Sequence, residues 1–410
     1  MSDPRNVILV TVDSLRADRC GLDGDDGRRT PALAALAEEG LTFENAIAPA
    51  AATNGSAYSF LTGEYPIERP ATDSTKAALR EHMLSRDTLA DRLSRRGYTT
   101  AAFTANPWTS RYFDFDVGFD YFEDFMDEDA TESFISEGTP DSKATFLLVQ
   151  ALNWWQGQDM FMSWEAFYDD ILDWLTDAPE PYFLWVFLVD SHMPYLPPKG
   201  YRSQSLARTY AANAWLYSGR DITPGSWVHD ALVTAYDDTV RYTDAFLDRL
   251  TRDVGDDPLV MVHADHGEAF GERGRYGHGY ELEEPIAHVP LVVANGPTGR
   301  VETPFSLFDL PELVLGLATD PEFDPERAFD APFARGRTGH PQRILRARDW
   351  KYATSPVEER LVRLDEDRTP IENEELLALC RAVTDQWAAG DEERGRITAA
   401  ATEVAEELPV

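Results

Sequence analysis

The chain has 410 residues, of which 43% are hydrophobic, and it carries a formal net charge of −36 at neutral pH. This hydrophobic content can fill a large core and excludes a globally disordered chain. The acidic excess repels phosphate backbones and argues against nucleic acid as a partner. Only four residues are lysine. Because concentrated salt screens the self-repulsion of such a surface, we predict a high-salt host, with an ordinary acidic enzyme as the alternative.

The start of the sequence, MSDPRNVILVTVD, carries no recognisable targeting signal. It lacks a basic segment, and its apolar run is too short for a signal peptide or a membrane span. The two cysteines, Cys20 and Cys380, are too few for a disulfide framework. We therefore expect a cytoplasmic protein without a transmembrane segment, and the sequence leaves its oligomeric state open.

Buried strands and helices alternate from the N-terminus to about residue 296. The run NVILVTVD (6–13) predicts a buried strand. The run TPALAALAEEG (30–40) predicts a helix, with Thr as N-cap, Pro at the first helical position and Gly as C-cap. Further strands are predicted at 99–106, 181–192, 258–267 and 289–296, with helices before the first and third of these. This alternation is typical of a doubly wound α/β sheet.

Two regions depart from this alternation. Residues from about 123 to 180 include an aromatic-rich stretch that predicts inserted helices forming a lid or subdomain, or helices that simply pack on the sheet. After residue 304 the sequence becomes rich in Pro and Asp, and 342–367 predicts antiparallel strands. The end of the chain predicts a strongly charged helix.

Polar residues follow four of the predicted strands. They are Asp13, Asn106, Asp190 with His192, and Asp265 with His266. Because the carboxyl ends of parallel strands face one crevice, these residues are expected to converge. Two carboxylates and one imidazole, from Asp13, Asp265 and His266, suit a divalent cation such as Mg, Mn, Zn or Ca.

The segment IAPAAATNGSAYSFLTGEYP (47–66) places small polar residues at the start of a predicted helix. A hydroxyl and free backbone N–H groups at such a position can face an anion, assisted by the helix dipole. Thr and Ser are also ordinary N-caps, so this signal is weak by itself.

An ordered set of motifs then indicates a family. The motifs are VTVDSLRADRCGLDG, LTGEYP, GFDYF, DSHMPYLPP, ADHGEAFGERGRYGHG, YELEEPIAHVPLVV and RDWKY. Together they resemble the sulfatase family of the alkaline phosphatase superfamily. The resemblance implies a three-layer α/β/α sandwich around a large, mostly parallel sheet, with a catalytic domain at 1–303. It also implies a C-terminal subdomain at 304–410 that adds a small antiparallel sheet and a charged helix.

The resemblance also implies roles for individual residues. Asp13 matches the first metal carboxylate of the family, and Asp265 and His266 match the later pair of metal ligands in its DHG motif. His192 resembles the histidine that contacts the substrate and its leaving group. His278 resembles a second basic substrate contact.

The nucleophile position departs from the family pattern. Thr53 stands where sulfatases have a Cys or Ser that is converted to formylglycine, and Gly55 and Ala57 replace the Pro and Arg that follow it. Such conversion is therefore not expected here. Ser14 replaces a second carboxylate, and Asn106 most nearly replaces a lysine. A Thr nucleophile beside one acidic ligand, an Asp and a His resembles the phosphoryl- and phosphoglycerol-transferring branches of the superfamily.

The predicted function is hydrolysis or transfer of phosphate or sulfate esters, with phosphorus preferred and one divalent cation (Ca, Mg, Mn or Zn) as cofactor. The expected substrate is an anionic small molecule, or a glycan, nucleotide or lipid-headgroup ester. The residues predicted to be catalytic are Thr53, His192 and His278, and those predicted to hold the metal are Asp13, Thr53, Asp265 and His266. Two alternatives stay open: a true sulfatase that uses an unmodified hydroxyl, and an inactive sulfatase-fold protein that binds an anionic ligand.

Overall fold

The structure is a computed structural model that describes residues 4–22, 29–66, 75–125, 162–338, 342–365 and 368–407. Most of the helical insertion predicted at about 123–180 lies outside the described residues, because 126–161 are not among them. The described part of that range includes a helix at Tyr168–Asp177. None of the described helices combines the length and apolar character needed to cross a bilayer.

The described strands and helices follow one another in a mixed α/β order. The strands are β1 (Val7–Val12), β2 (Leu41–Phe43), β3 (Ala46–Ile47), β4 (Thr99–Thr104), β5 (Tyr121–Glu123), β6 (Tyr182–Leu188), β7 (Leu259–Ala264), β8 (Ala269–Phe270), β9 (Tyr276–Gly277), β10 (His288–Val289), β11 (Leu291–Ala294), β12 (Gly299–Val301), β13 (Phe305–Ser306), β14 (Ala334–Arg337), β15 (Arg343–Arg346), β16 (Trp350–Thr354) and β17 (Glu359–Arg363). The α-helices are α1 (Pro31–Glu39), α2 (Thr53–Thr62), α3 (Thr75–Leu84), α4 (Leu89–Ser94), α5 (Tyr168–Asp177), α6 (Leu206–Tyr217), α7 (Trp227–Val254), α8 (Glu284–Ala287), α9 (Leu310–Thr319), α10 (Pro325–Ala328) and α11 (Glu374–Glu407).

Eight strands form the central sheet in the order β12-β2-β11-β7-β1-β6-β4-β5. The five strands from β7 to β5 are parallel, whereas β11 runs antiparallel to both of its neighbours. Strands β14 to β17 form a separate antiparallel sheet. The predicted fold class, a large and mostly parallel sheet with a smaller antiparallel one, is therefore confirmed. Strand β13, which follows residue 303, pairs with β3 near the start of the chain. The division of the chain at residue 303 stays a prediction.

The element boundaries follow the capping signals in the sequence. Helix α1 begins at Pro31 after Thr30 and ends before Gly40, as predicted. Helix α7, the helix predicted before β7, begins at Trp227. The hydroxyl of Ser226 accepts a hydrogen bond from the backbone N–H of His229 and caps the start of the helix.

Strands β1, β6 and β7 are fully buried, as their continuous apolar runs predict. The polar side chains among them are hydrogen-bonded to one another. Trp185 donates to the hydroxyl of Thr11 across 3.0 Å, and that hydroxyl lies 2.8 Å from Nε2 of His263. Burial lowers the pKa of His263 to about 3. His263 is therefore a neutral, hydrogen-bonded part of the core, as buried polar groups require.

A buried ion cluster joins helix α8 to the C-terminal sheet. Glu284 lies 3.1 Å from the ammonium of Lys351 and 3.4 Å from the guanidinium of Arg346. Although burial alone would raise the pKa of Glu284, the two cations hold it well below its usual range. The cluster explains why charged residues occur in the motifs YELEEPIAH and RDWKY, because they pair with each other inside the protein.

The buried His82 of helix α3 predicts a pH-dependent stability. Its Nε2 lies 3.1 Å from the hydroxyl of Thr62, and burial together with the charges of Arg86 and Arg394 lowers the pKa of His82 to about 3. Between pH 6.5 and 3 the unfolded chain therefore binds a proton that the folded chain does not, so this group destabilises the fold as the pH falls. The loss is about 1.4 kcal/mol per pH unit below 6.5.

We therefore expect His82→Phe to reduce the acid sensitivity of folding. Urea unfolding of both proteins at pH 5 and pH 7 measures this. The decrease in unfolding free energy from pH 7 to pH 5 is expected to be about 2 kcal/mol smaller in the variant. Equal decreases in the two proteins would contradict the assignment.

Candidate active site

Two neighbouring parallel strands end in the residues that begin the site. Asp13 directly follows β1, and Asp265 and His266 directly follow β7. All three side chains are fully buried, and their ligand-type atoms lie within 4.8 Å of one another. The structure therefore brings together three of the four residues predicted to hold a cation, at the carboxyl edge of the sheet.

Hydrogen bonds fix the orientation of Asp13. The side-chain amide of Asn106, at the end of β4, donates to its Oδ2 across 2.6 Å. The hydroxyl of Ser14 donates to its Oδ1 across 2.9 Å. Ser14 has a left-handed backbone with φ of 61°, and its N–H donates to Oδ1 of Asp265 across 3.1 Å. Ser14 and Asn106, which replace charged residues of the family pattern, thus orient the carboxylates of the site.

Only one of the two carboxylate oxygens of Asp265 is hydrogen-bonded to described residues. Its Oδ1 accepts hydrogen bonds from the N–H groups of Ser14 and His266, whereas its buried Oδ2 accepts none from any residue that the structure describes. Nε2 of His266 lies 3.4 Å from that Oδ2. Burial, with the Asp265 carboxylate alongside, raises the pKa of Asp13 well above its ordinary value. Two adjacent buried carboxylates, one with an unsatisfied oxygen, fit a divalent cation because a cation would neutralise both.

Thr53 lies at the edge of the same cluster. It is the first residue of α2, and its Oγ1 is 3.3 Å from Nε2 of His266. The hydroxyl of Ser56, one turn later, donates to the backbone carbonyl of Asp265 across 2.6 Å and ties the helix to the end of β7. The positive end of the α2 dipole therefore faces the cluster, where it favours an anion.

His192 and His278 extend the site on the other side of His266. The ring of His278 has its centroid 4.3 Å from that of His266 and 4.9 Å from that of His192. Nδ1 of His192 lies 2.6 Å from the carbonyl of Met193. Burial lowers the pKa of His192, and it lowers the pKa of His278 to about 3 with the help of neighbouring His192. Both rings are therefore neutral near pH 7 before an anion arrives.

A cavity of about 260 Å³ opens beside His192. Its wall includes Asp190, Glu165, Tyr210 and Arg202, together with several prolines. The guanidinium of Arg202 forms no ion pair with any described residue, and its Nε lies 3.4 Å from the carbonyl oxygen of Pro197. The volume is near the lower end of small-molecule pockets, which range over about 300–1,000 Å³. It fits one group of roughly the size of a monosaccharide.

Other polar residues near the strand ends also contact the scaffold. Oδ1 of Asp190 lies 3.4 Å from the backbone N–H of Trp164. Arg16 pairs with Asp18 and Glu272 rather than facing the cluster. His288 contacts the backbone carbonyl of Glu44.

Comparison with known proteins now identifies the family. A model of the sulfatase family matches residues 5–320. The chain belongs to the sulfatase family. The resemblance seen in the sequence is thereby confirmed.

The chain is similar to sulfatases and to a phosphonate monoester hydrolase. The ulvan-active sulfatase of Formosa agariphila is 23% identical over 397 residues, which cover 85% of this chain and 72% of that protein. Among solved structures, a 2-O GAG sulfatase superposes with a TM-score of 0.65 at 15% identity, covering 96% of this chain and 94% of that one. The phosphonate monoester hydrolase of Agrobacterium radiobacter superposes with a TM-score of 0.63 at 16% identity, covering 95% and 96%. Membership of the sulfatase family makes the chain an ester-hydrolysing enzyme.

Several residues that shape the site were not predicted from the sequence. The roles of Ser14 and Asn106 as hydrogen-bond donors to Asp13 were not predicted, nor was the bond from Ser56 to the end of β7. Glu268, one position after the DHG motif, is fully buried, and burial raises the pKa of its carboxyl to about 7. An acidic residue directly before the buried pair Ala269 and Phe270, in DHGEAF, is the signal that marks it for attention.

Proposed function

We propose that this sulfatase cleaves phosphate or sulfate esters by attack of the Thr53 hydroxyl, and that phosphate esters are preferred. The observation that carries the proposal is the 3.3 Å between Thr53 Oγ1 and His266 Nε2, at the edge of the buried Asp13, Asp265 and His266 cluster. These three residues and Thr53 would hold one divalent cation. Such a cation lowers the pKa of a hydroxyl and neutralises charge on the ester oxygens.

The side chains of the protein supply the remaining steps. The start of α2 directs its dipole at the ester anion and fixes Thr53 in line with the cluster. Oγ1 of Thr53 gives its proton to a water molecule and forms a bond to phosphorus or sulfur, while the bond to the leaving oxygen breaks. The arriving ester brings negative charge, which favours the imidazolium forms of His192 and His278. One of these rings then protonates the leaving oxygen.

The residue type at position 53 supports phosphorus over sulfur. A formylglycine hydrate can expel sulfate by collapse of its own hydroxyl group, whereas a threonine ester must be cleaved by water or another acceptor. The Cys or Ser, Pro and Arg of the sulfatase pattern are replaced by Thr53, Gly55 and Ala57. The phosphonate monoester hydrolase among the structural neighbours supports phosphorus chemistry on this fold.

We propose an anionic glycan ester as the substrate class. One relative is an ulvan-active sulfatase and one structural neighbour is a 2-O GAG sulfatase. The cavity beside His192 supports this class, since the carboxylates of Asp190 and Glu165 can accept hydrogen bonds from sugar hydroxyls. The guanidinium of Arg202 can pair with an acidic substituent on the same ring.

The proposal is tested by turnover. Hydrolysis of p-nitrophenyl phosphate, bis-p-nitrophenyl phosphate and p-nitrophenyl sulfate would be measured with Mg, Mn, Ca and Zn in turn. Because the acidic composition predicts a high-salt host, each assay is run at low and at molar salt. Turnover of a phosphate ester that depends on a divalent cation is expected. Turnover of the sulfate alone would contradict the preference for phosphorus, and a protein that binds these esters without cleaving them would contradict catalysis.

The cavity beside His192 gives a second test, which concerns the leaving group. Arg202→Met is expected to raise KM about tenfold for an aryl phosphate that carries a carboxylate on its ring, because a charge-assisted hydrogen bond is lost. KM for unsubstituted p-nitrophenyl phosphate is expected to stay unchanged. Arg220→Met is the control, because Arg220 lies over the ring of Trp215 and outside this cavity. An equal rise in KM for both esters would exclude Arg202 from leaving-group recognition.

A further inference from the structure

The fully buried Glu268 has no part in the reaction proposed above, yet it touches one of its histidines. Its Oε1 lies 3.0 Å from Nδ1 of His278. The buried hydroxyl of Tyr195 lies beside the same carboxylate. A buried carboxyl group is costly, so the fold must gain something from keeping it there.

The contact between Glu268 and His278 follows from a short hairpin. Strands β8 and β9 pair antiparallel, with Ala269 opposite Gly277 and Phe270 opposite Tyr276. The next pair in this register is Glu268 and His278, so the backbone itself brings the two side chains together. The hairpin thus connects the DHG segment, which carries the predicted metal ligands, to the histidine predicted to contact the substrate.

Two glycines flank His278. Gly277 and Gly279 have φ of 89° and 91°, in the region that glycine adopts without strain. The backbone of this segment is fixed by the pairing of Gly277 with Ala269 and by the N–H of Gly279, which donates to the carbonyl of Ala51 across 2.7 Å. The contact with Glu268 adds a restraint on the His278 ring itself.

The chemistry of imidazole then determines which nitrogen faces the ester. At pH 8 Glu268 is a carboxylate that only accepts hydrogen bonds, so its partner Nδ1 must carry a proton. Nε2 of His278 forms no hydrogen bond with a described residue and is left for the substrate. His192 and His266 show the same arrangement, with Nδ1 beside the carbonyls of Met193 and Gly267. All three histidines therefore keep Nδ1 occupied.

We propose that Glu268 is a positioning residue, which holds His278 in the Nδ1–H tautomer, so that Nε2 faces the ester and donates to its oxygens once the ring is protonated. The role in catalysis rests on the proposed function, whereas the tautomer rests only on the contact between Glu268 and His278. Glu268 acts only through His278 and does not touch the substrate. This type of outer partner is typical of functional histidines, and its loss costs about 10- to 100-fold in activity.

The tautomer is measured by NMR on protein with ¹⁵N-labelled histidine at pH 8, and the signal of His278 is assigned by its loss in His278→Asn. We expect protonated Nδ1 and unprotonated Nε2 in the wild type and in Glu268→Gln, whose amide oxygen still accepts the hydrogen bond. Glu268→Leu is expected to change to the Nε2–H tautomer that free histidine favours. A wild-type Nε2–H tautomer, or an unchanged tautomer in Glu268→Leu, would overturn the proposal whether or not the protein turns over any ester.

A double-mutant cycle tests the catalytic consequence. In Glu268→Leu, kcat for p-nitrophenyl phosphate is expected to decrease about 10- to 100-fold with little change in KM. In the His278→Asn background, Glu268→Leu is expected to lower kcat hardly any further, because it acts through the imidazole ring that this background lacks. Additive losses would assign Glu268 a separate structural role and overturn the proposal. An inactive wild type with the expected tautomer would instead contradict only the proposed function.

Discussion

Thr53→Ala is expected to lower kcat at least about 10⁴-fold, which corresponds to ~5.4 kcal/mol of activation free energy. The methyl side chain leaves no hydroxyl beside Nε2 of His266, so no oxygen of the protein is placed to attack the ester. The measurement is steady-state turnover of the best p-nitrophenyl ester found in the assays described above.

Thr53→Ser is the matched control for this variant. It keeps the hydroxyl at the start of α2 and is expected to retain activity within about tenfold of the wild type. Thermal unfolding of Thr53→Ala should remain close to that of the wild type, which shows that the loss is chemical. If Thr53→Ala turns over the ester as fast as the wild type does, Thr53 is not the nucleophile.

The second large effect is expected on cation binding. In the wild type, a divalent cation at 100 times its dissociation constant should raise the free energy of unfolding by about 2.7 kcal/mol. Asp265→Asn removes one of the two buried charges but keeps an oxygen that accepts from the N–H groups of Ser14 and His266. We expect this variant to lose most of the cation-dependent stabilisation. Thermal unfolding with and without a chelator measures it.

The cation-free proteins provide a further comparison. Without a cation, Asp265→Asn should be at least as stable as the wild type, because Asp13 no longer faces a second buried carboxylate. Asp190→Asn is the control, since Asp190 follows β6 outside the cluster, and it should keep the full response to the cation. If the cation stabilised Asp265→Asn as much as it stabilises the wild type, it would bind at another site.

The sequence was sufficient to predict where the site forms, because strand ends are visible in it. Long apolar runs that stop at Asp13 and at Asp265 predict buried parallel strands, and parallel strands share one functional edge. The structure confirms those strands and their adjacency in the sheet. The helix that begins at Thr53 also follows from local signals, because small polar residues precede the apolar stretch.

The partners of these residues were not predictable in the same way. The hydrogen bond from Asn106 to Asp13 depends on β4 lying two strands from β1, which periodicity along the chain does not reveal. The contact of Glu268 with His278 depends on a hairpin of only two residues on each side. Ser14 has φ of 61°, a conformation that its residue type does not favour. Each of these features is a tertiary one and needs the folded chain.

The ion cluster around Glu284 makes helix α8 dependent on a sheet that contributes none of the residues proposed for the reaction. Glu284 lies six residues after His278, and its two cationic partners belong to β15 and β16. A chain that ended before those strands would keep every residue proposed for the reaction. The buried carboxylate of Glu284 would, however, be left without its two cationic partners. Removing one side of such a pair costs about 3–5 kcal/mol, so the C-terminal sheet and helix α8 can be expected to change only in concert during evolution.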